Sequence, residues 1–97
     1  MIDKKWTIYI AKCNDGTFYT GISTEVSRRI MEHNQSHRSA RYTRTRRPIS
    51  LYWEYPLKIT QSQAIRGELM IKSWTHLQKK NIINLNLPNL TCQIFKS

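Results

Sequence analysis

Two tyrosines, an arginine and a histidine are the residues of this sequence whose types and spacing could support a chemical reaction. Tyr9 and Tyr19 stand ten residues apart, and Arg29 and His33 follow with a spacing of four. Phenols, an imidazole and a guanidinium can divide between them the tasks of moving a proton and holding an anion. This combination is unusual for an ordinary hydrophobic core. It indicates a functional cluster that the rest of the sequence supports or completes.

A β-hairpin is the element that would carry the two tyrosines. Residues 7–13 and 17–23 are rich in β-branched and aromatic side chains, which is typical of strands. Between them, Asn14-Asp15-Gly16 predicts a three-residue loop in which Gly16 adopts the left-handed conformation. We therefore expect two antiparallel strands joined by a tight turn.

The length of this loop decides whether the tyrosines share a face of the hairpin. A three-residue loop pairs Ala11 with Tyr19 and Tyr9 with Gly21, so that both phenols point the same way. A two-residue loop would put them on opposite faces. Because Gly21 lacks a side chain, we also expect open space beside the Tyr9 ring, where a ligand or another backbone could approach.

A helix over residues 24–34 would position the arginine and the histidine. At about 100° per residue, Arg29 and His33 lie along the edge of its apolar stripe, whereas Arg28 points to solvent. We expect Arg28 to pair with a glutamate of the same helix and Arg29 to lean toward the sheet. Two residues form the apolar stripe: Val26 and Ile30.

Residues 49–97 read as a third strand, a second helix and a shorter third helix, followed by a tail. The strand, residues 49–55, alternates cleanly and should place four apolar residues on one face: Ile49, Leu51, Trp53 and Tyr55. Thr60 or Ser62 should cap the second helix, which runs to about Trp74. Its expected buried arc contains five residues: Ala64, Gly67, Met70, Ile71 and Trp74.

Glu68 falls at the edge of that arc or inside it, where a carboxylate needs a partner or a task. The third helix should span residues 75–83. We take residues 1–83 as one domain and residues 84–97 as an extension packed on it, whose leucines could cover the core or form an edge strand.

The charge balance points to a polyanionic partner. Sixteen lysines and arginines face six acidic residues, giving a net charge of +10. Such a field attracts nucleic acid first and acidic membranes second. Residues 35–47 have no hydrophobic period and should form a basic loop that can bind phosphates. Five arginines fall within ten residues there: Arg38, Arg41, Arg44, Arg46 and Arg47.

The remaining composition favours a cytoplasmic location. No apolar run approaches the ~20 residues of a membrane span, and the first residues do not read as a signal peptide. Cys13 and Cys92 are far apart and lack metal-ligand spacing, which fits free thiols in a reducing compartment. The basic residues cluster in a loop and not on an amphipathic helix, so a membrane-surface protein is disfavoured.

Taken together, these motifs resemble the GIY-YIG nuclease superfamily, and especially its small stand-alone members. The triplets Thr7-Ile8-Tyr9 and Tyr19-Thr20-Gly21 stand where that family has its two signature triplets, although Thr7 and Thr20 depart from them. Neither position supplies a reacting side chain. Three longer patterns of the small members are present: Y-I-x-x-C-x-D-G-x-x-Y-T-G-I from Tyr9, R-Y-T-R-x-R-R-P from Arg41 and E-x-x-I-K from Glu68.

The resemblance implies an α+β domain with a three-stranded antiparallel sheet and flanking helices, in the order β-β-α-β-α-α. It also implies cleavage of a phosphodiester bond with one divalent metal, Mg²⁺ or Mn²⁺. Our reading of the strands and helices gives the same order independently. DNA is favoured over RNA as the substrate. A protein partner could supply targeting, because no separate targeting domain fits in 97 residues.

The resemblance also assigns roles. Tyr9 or Tyr19 would take a proton from water, which requires nearby cations to lower a phenol pKa of ~10. Arg29 would hold the scissile phosphate, His33 would contact the phosphate or help to activate the water, and Glu68 would bind the metal. Seven residues would contact nucleic acid, with the tyrosine among them stacking on a base: Arg38, Arg41, Tyr42, Arg44, Arg46, Arg47 and Lys72.

A non-catalytic nucleic-acid-binding module on the same fold is the alternative. The orientation of Glu68 distinguishes the two. A nuclease needs this carboxylate close to both tyrosines and Arg29, whereas a carboxylate that faces away from the hairpin would favour the binding module.

Overall fold

A computed structural model describes residues 5–35 and 40–95 of the chain. It contains a three-stranded antiparallel sheet in the order β2-β1-β3, flanked by helices, and the predicted α+β fold is therefore confirmed. The elements are β1 (Thr7–Lys12), β2 (Phe18–Ser23), α1 (Val26–Gln35), α2 (Arg41–Arg44), β3 (Ser50–Glu54), α3 (Gln61–Lys72), α4 (His76–Lys80), a 3-10 helix (Asn81–Asn84) and α5 (Leu87–Ile94).

The hairpin has the register that the turn predicts. Tyr9 pairs with Gly21 and Ala11 with Tyr19, so both tyrosines project from one face of the sheet. The Cys13 amide donates to the Thr17 carbonyl at 2.8 Å across the mouth of the turn. Gly16 has a φ of +85°, the left-handed conformation that this loop requires.

β3 departs from the predicted alternation. The register slips where it crosses β1, since Ile10 pairs with Trp53 while Ala11 pairs with Leu51. This β-bulge rotates the two ends of the strand relative to each other. Ile49, Leu51, Trp53 and Tyr55 therefore do not share a face: Ile49 packs with Tyr9, Tyr55 packs with Ile8 and Ile10, and Leu51 is exposed.

The helices follow the capping signals of the sequence. Thr60 caps α3 in a capping box with Gln63, and Thr75 caps α4 in the same way with Gln78. The short helix α2 lies in the segment that we expected to be a loop. Residues 36–39 of that segment, Arg38 among them, lie outside the described residues. Most of the expected third helix divides into α4 and the 3-10 helix.

Two hydrophobic clusters lie on opposite faces of the sheet. Because successive residues of β1 point to opposite sides, Ile8 and Ile10 face α3 and α5, while Tyr9 and Ala11 face α1. The tail contributes Leu90 and Ile94 of α5 to the first cluster: Ile8, Ile10, Phe18, Tyr55, Ala64, Ile71, Ile82, Leu90 and Ile94. In the part of the chain that the structure describes, every helix is too short or too polar to cross a membrane.

Candidate active site

Tyr9 lies at the centre of the candidate site and is almost completely buried, with 1% of its surface exposed. Its hydroxyl lies 2.7 Å from Nε2 of His33. A Cβ added to Gly21 would stand 2.6 Å from this hydroxyl. The space that we expected beside the ring is therefore filled by Tyr9 itself, and Gly21 is needed because any side chain there would collide with the phenol.

His33 links Tyr9 to the short helix α2. The imidazole is fully buried, and its Nδ1 lies 2.8 Å from the hydroxyl of Thr43. Thr43 is also buried, and its hydroxyl donates to the Ala40 carbonyl at 2.9 Å. With both nitrogens engaged and no exposed surface, His33 does not reach a bound phosphate in this conformation. A direct contact with phosphate would require one of these two hydrogen bonds to open.

Burial determines the protonation states of His33 and Tyr9 at neutral pH. Burial, and then the positive charge of Arg29, lower the pKa of His33 to about 4, so that the imidazole is neutral at pH 7. Burial also raises the pKa of the Tyr9 hydroxyl, and Tyr19 adds to this effect, while Arg29 opposes it. Arg29 thus acts on the Tyr9 pKa in the expected direction, but burial outweighs it, and the net shift is upward. At neutral pH Tyr9 is therefore a neutral phenol, hydrogen-bonded to His33.

Arg29 leans toward the sheet, as its place on the helix predicts. Its guanidinium acts on Tyr9 through its charge and through a hydrogen bond, and the side chain remains 24% exposed. It also pairs with Glu32 at 3.1 Å. The ion pair that we expected for Arg28 is therefore wrong: within the described residues it is Arg29 that pairs with a glutamate of this helix.

Tyr19 is the more accessible of the two tyrosines. It is half-buried, whereas Tyr9 is enclosed. Its ring centroid lies 5.2 Å from that of His33 and 6.5 Å from that of Tyr9. The Tyr19 ring centroid also lies 6.0 Å from the ring centroid of Tyr42 in α2. Of the two phenols, Tyr19 is thus the one placed to meet a water molecule or a substrate.

Glu68 lies on α3, in the layer on the opposite face of the sheet from α1. Its negative charge contributes a little to the raised pKa of Tyr9, so the carboxylate acts electrostatically on that hydroxyl. The side chain is 18% exposed and pairs with Lys72 at 3.6 Å, one turn along. A carboxylate that is partly open and only loosely paired can exchange that partner for a cation.

This donor set fits a hydrated magnesium ion better than a tightly ligated metal. No group of three or more histidine, cysteine, aspartate or glutamate residues converges within residues 5–35 and 40–95. Mg²⁺ accepts one or two carboxylates and keeps several waters. The single carboxylate of Glu68 meets that requirement, and a zinc site built from His33 is excluded because both of its nitrogens are occupied.

Two arginines of the predicted basic loop connect it to the rest of the site: Arg46 contacts the hairpin turn, and Arg47 contacts α1. Arg46 pairs with Asp15 of the turn at 3.1 Å, donates to the Tyr42 carbonyl and covers the Tyr42 ring at 3.9 Å. Arg47 donates to the His33 carbonyl at 2.6 Å. A base could stack on this face of Tyr42 only by displacing Arg46. Three other residues predicted to contact nucleic acid are exposed: Arg41, Arg44 and Lys72.

Sequence reasoning missed Thr43 and the structural role of Arg46. Both stand in the R-Y-T-R-x-R-R-P pattern, but nothing in that pattern shows that the threonine faces a histidine ten residues earlier. The contact arises because α2 packs against α1. Its only signal in the sequence is a small hydroxyl residue among long basic ones.

The pKa of His33 predicts a specific loss of stability in acid. Its folded-state pKa of about 4 lies below the ordinary 6.5, so as pH falls between these values the unfolded chain binds a proton that the folded chain does not. The free energy of unfolding should fall by about 2 kcal/mol between pH 7 and pH 5 on this account. Denaturant unfolding at both pH values measures the loss.

Two variants identify the residue responsible. His76→Gln, at an exposed position, should retain the loss, whereas His33→Gln should remove it whatever its absolute stability. The same pH dependence in His33→Gln and the wild type would show that His33 is not the group that titrates.

Comparison with known proteins assigns a family to this geometry. A family model described as the GIY-YIG catalytic domain matches residues 5–81. The chain is 39% identical to a UPF0213 protein of Desulfotalea psychrophila, over 95% of this chain and 83% of the relative. It is 40% identical to a UPF0213 protein of Staphylococcus epidermidis, over 81% and 94%. The solution NMR structure of a UPF0213 protein from Bacillus halodurans matches with a TM-score of 0.48 at 32% identity, covering 96% of this chain and 98% of that one.

Proposed function

The chain belongs to the GIY-YIG family of catalytic domains, a nuclease family, and we propose that it hydrolyses phosphodiester bonds in DNA with one Mg²⁺ ion. The observation that carries this proposal is the clustering of predicted site residues on the hairpin and α1: His33 lies against both Tyr9 and Tyr19, and Arg29 acts on the Tyr9 hydroxyl. The carboxylate of Glu68 on α3 also acts on that hydroxyl through its charge. A carboxylate for a metal ion and a guanidinium for a phosphate are groups that a phosphoryl-transfer site uses.

The reaction requires a water molecule to attack phosphorus in line with the leaving oxygen. In this proposal Tyr19, the accessible tyrosine, orients that water and, having released its own proton to solvent, receives the proton of the water as a phenolate. Arg29, which acts on the neighbouring Tyr9, would stabilise the negative charge that develops on the phosphoryl oxygens. Its guanidinium is held by Glu32 and Tyr9, so it is already oriented when the substrate arrives.

Tyr9 and His33 have a supporting role in this scheme. Tyr9 is a buried phenol with a raised pKa, and its hydroxyl is engaged by His33. Such a group is a poor base for a surface water. It is a rigid hydrogen-bonding partner for Arg29, since its ring is fixed between Gly21 and the imidazole.

Glu68 would hold the Mg²⁺ ion, which would supply positive charge next to the phosphate and the leaving oxygen when bound. For Glu68 to hold the ion, its pair with Lys72 at 3.6 Å would have to open. The freed Lys72 ammonium lies one turn further along α3 and can contact a neighbouring phosphate.

DNA would be attracted by the net charge of +10 and contacted by the exposed arginines of α2. A non-catalytic binding module would share this surface. It would not need a carboxylate whose negative charge acts on the site residue Tyr9, because that charge opposes the binding of a phosphate. The electrostatic effect of Glu68 on Tyr9 therefore favours the enzyme.

A cleavage panel tests the proposal. The full chain is incubated with labelled single-stranded, duplex, nicked, flapped and branched DNA in Mg²⁺, in Mn²⁺ and in EDTA. We expect cleavage of at least one form with either metal and none in EDTA. Binding to these substrates with no cleavage of any of them would support the binding module instead.

A further inference from the structure

A series of hydrogen bonds connects the partly exposed Arg29 to the backbone carbonyl of Ala40. Three buried side chains lie between them: Tyr9, His33 and Thr43. Arg29 bonds to the Tyr9 hydroxyl, which lies 2.7 Å from His33 Nε2. His33 Nδ1 lies 2.8 Å from the Thr43 hydroxyl, and that hydroxyl bonds to the Ala40 carbonyl at 2.9 Å. Thr43, the buried side chain furthest from Arg29 in this series, has no part in the proposed reaction.

Which atom donates in each hydrogen bond can be deduced from the two ends of the series, the Arg29 guanidinium and the Ala40 carbonyl. The guanidinium has only donors and the carbonyl has only lone pairs. Thr43 has a single hydroxyl proton, which it donates to Ala40, so its oxygen accepts from His33 Nδ1. His33 is neutral at pH 7 and carries one ring proton. That proton is on Nδ1, and the bare Nε2 accepts the Tyr9 proton.

The other tautomer leaves a buried proton without an acceptor. If Nε2 carried the hydrogen, the Tyr9 oxygen would accept from both His33 and Arg29. The Tyr9 proton would then have no acceptor among the described residues, in a side chain that is 1% exposed. An unsatisfied buried hydroxyl costs about 1–3 kcal/mol, which favours the Nδ1–H form.

We propose that Thr43 is a positioning residue that fixes His33 as the Nδ1–H tautomer and thereby orients Tyr9 and Arg29. With Nε2 bare, the Tyr9 hydroxyl turns its proton toward His33 and its lone pairs toward Arg29. The guanidinium is then held by Tyr9 on one side and by Glu32 on the other. The consequence for catalysis rests on the proposed function, whereas the tautomer does not.

Two-bond ¹H–¹⁵N NMR spectra of the histidine rings test the tautomer directly on the full chain at pH 7. The three histidines are His33, His37 and His76, and His37→Gln and His76→Gln assign the His33 signals by elimination. We expect a protonated Nδ1 and an unprotonated Nε2. A wild-type His33 protonated on Nε2 would overturn the proposal.

Three variants then test whether Thr43 sets this tautomer. Thr43→Ser keeps the hydroxyl and should keep the Nδ1–H form. Thr43→Val keeps the shape but removes the acceptor, so the Nδ1–H population should fall and the guanidinium N–H groups of Arg29 should exchange faster with solvent. Thr45→Val, at an exposed position in the same segment, should change neither. An unchanged tautomer in folded Thr43→Val would overturn the proposal.

Cleavage supplies the second measurement. On the DNA that the wild type cuts best, Thr43→Val should lower kcat about 10- to 100-fold with little change in KM, as expected when a supporting residue is lost. Thr43→Ser should restore most of it. Full kcat in Thr43→Val would overturn the positioning role. If the wild type cuts no DNA, the proposed function fails, and the ring signals with the Arg29 exchange rate still decide whether Thr43 positions the network.

Discussion

Replacing Arg29 with alanine should lower the rate of DNA cleavage about 10²- to 10³-fold, the cost of removing one preorganised donor from a developing negative charge. The same change at Arg28 should leave the rate within about twofold, as is usual for an exposed residue outside a site. The two arginines are adjacent in sequence and lie on the same helix. They differ because Arg29 faces Tyr9 whereas Arg28 is exposed.

Single-turnover cleavage with enzyme in excess over DNA measures this difference without interference from product release. Both variants remove one positive charge, so a non-specific loss of DNA affinity would weaken them equally. Equal rates for Arg29→Ala and Arg28→Ala would contradict the assignment of Arg29 to the scissile phosphate. Arg29→Lys provides a further comparison, because it keeps the charge but loses the planar fork.

Glu68→Gln should reduce Mg²⁺-dependent cleavage about 10³-fold, since it removes the only carboxylate assigned to the metal and with it several kcal/mol of charge stabilisation. The glutamine has nearly the same shape, so α3 should keep its packing. DNA affinity measured by fluorescence anisotropy in EDTA should be unchanged or slightly higher, because a negative charge near the phosphate is lost. The change acts on the metal and not on the fold.

Glu25→Gln is the matched control, since Glu25 is an exposed residue that precedes α1. It changes the net charge by the same amount and should cleave like the wild type. If Glu68→Gln cleaves at the wild-type rate, the metal does not bind at Glu68. If it loses DNA binding together with cleavage, the carboxylate is needed to maintain the site and not to hold a metal.

The hairpin and the capped helices could be predicted from sequence because their signals are local. Asn14-Asp15-Gly16 specifies a loop length, and the loop length specifies the register that places Tyr9 and Tyr19 on one face. Thr60 with Gln63 is likewise a complete capping signal within four residues. Each inference needed only neighbours along the chain.

The features that were missed depend on contacts between distant segments. The bulge in β3 arises where that strand crosses β1, and alternation in the strand alone cannot reveal it. The burial of Tyr9 depends on how closely its ring approaches Gly21 and His33. That burial reverses the expected direction of the phenol pKa and transfers the proposed proton-accepting role to Tyr19. Thr43 gains its importance only when α2 packs on α1.

Cleavage by the wild-type chain in water enriched in ¹⁸O is the most direct test that this site hydrolyses phosphodiesters. A labelled DNA is cut in Mg²⁺ under single-turnover conditions, and the mass of the product phosphate is measured, with EDTA as the control. Direct attack by water predicts product only with metal and one ¹⁸O atom in the new terminal phosphate. No product in Mg²⁺, or a product without ¹⁸O, would contradict hydrolysis by the site formed by Tyr19, Arg29 and Glu68.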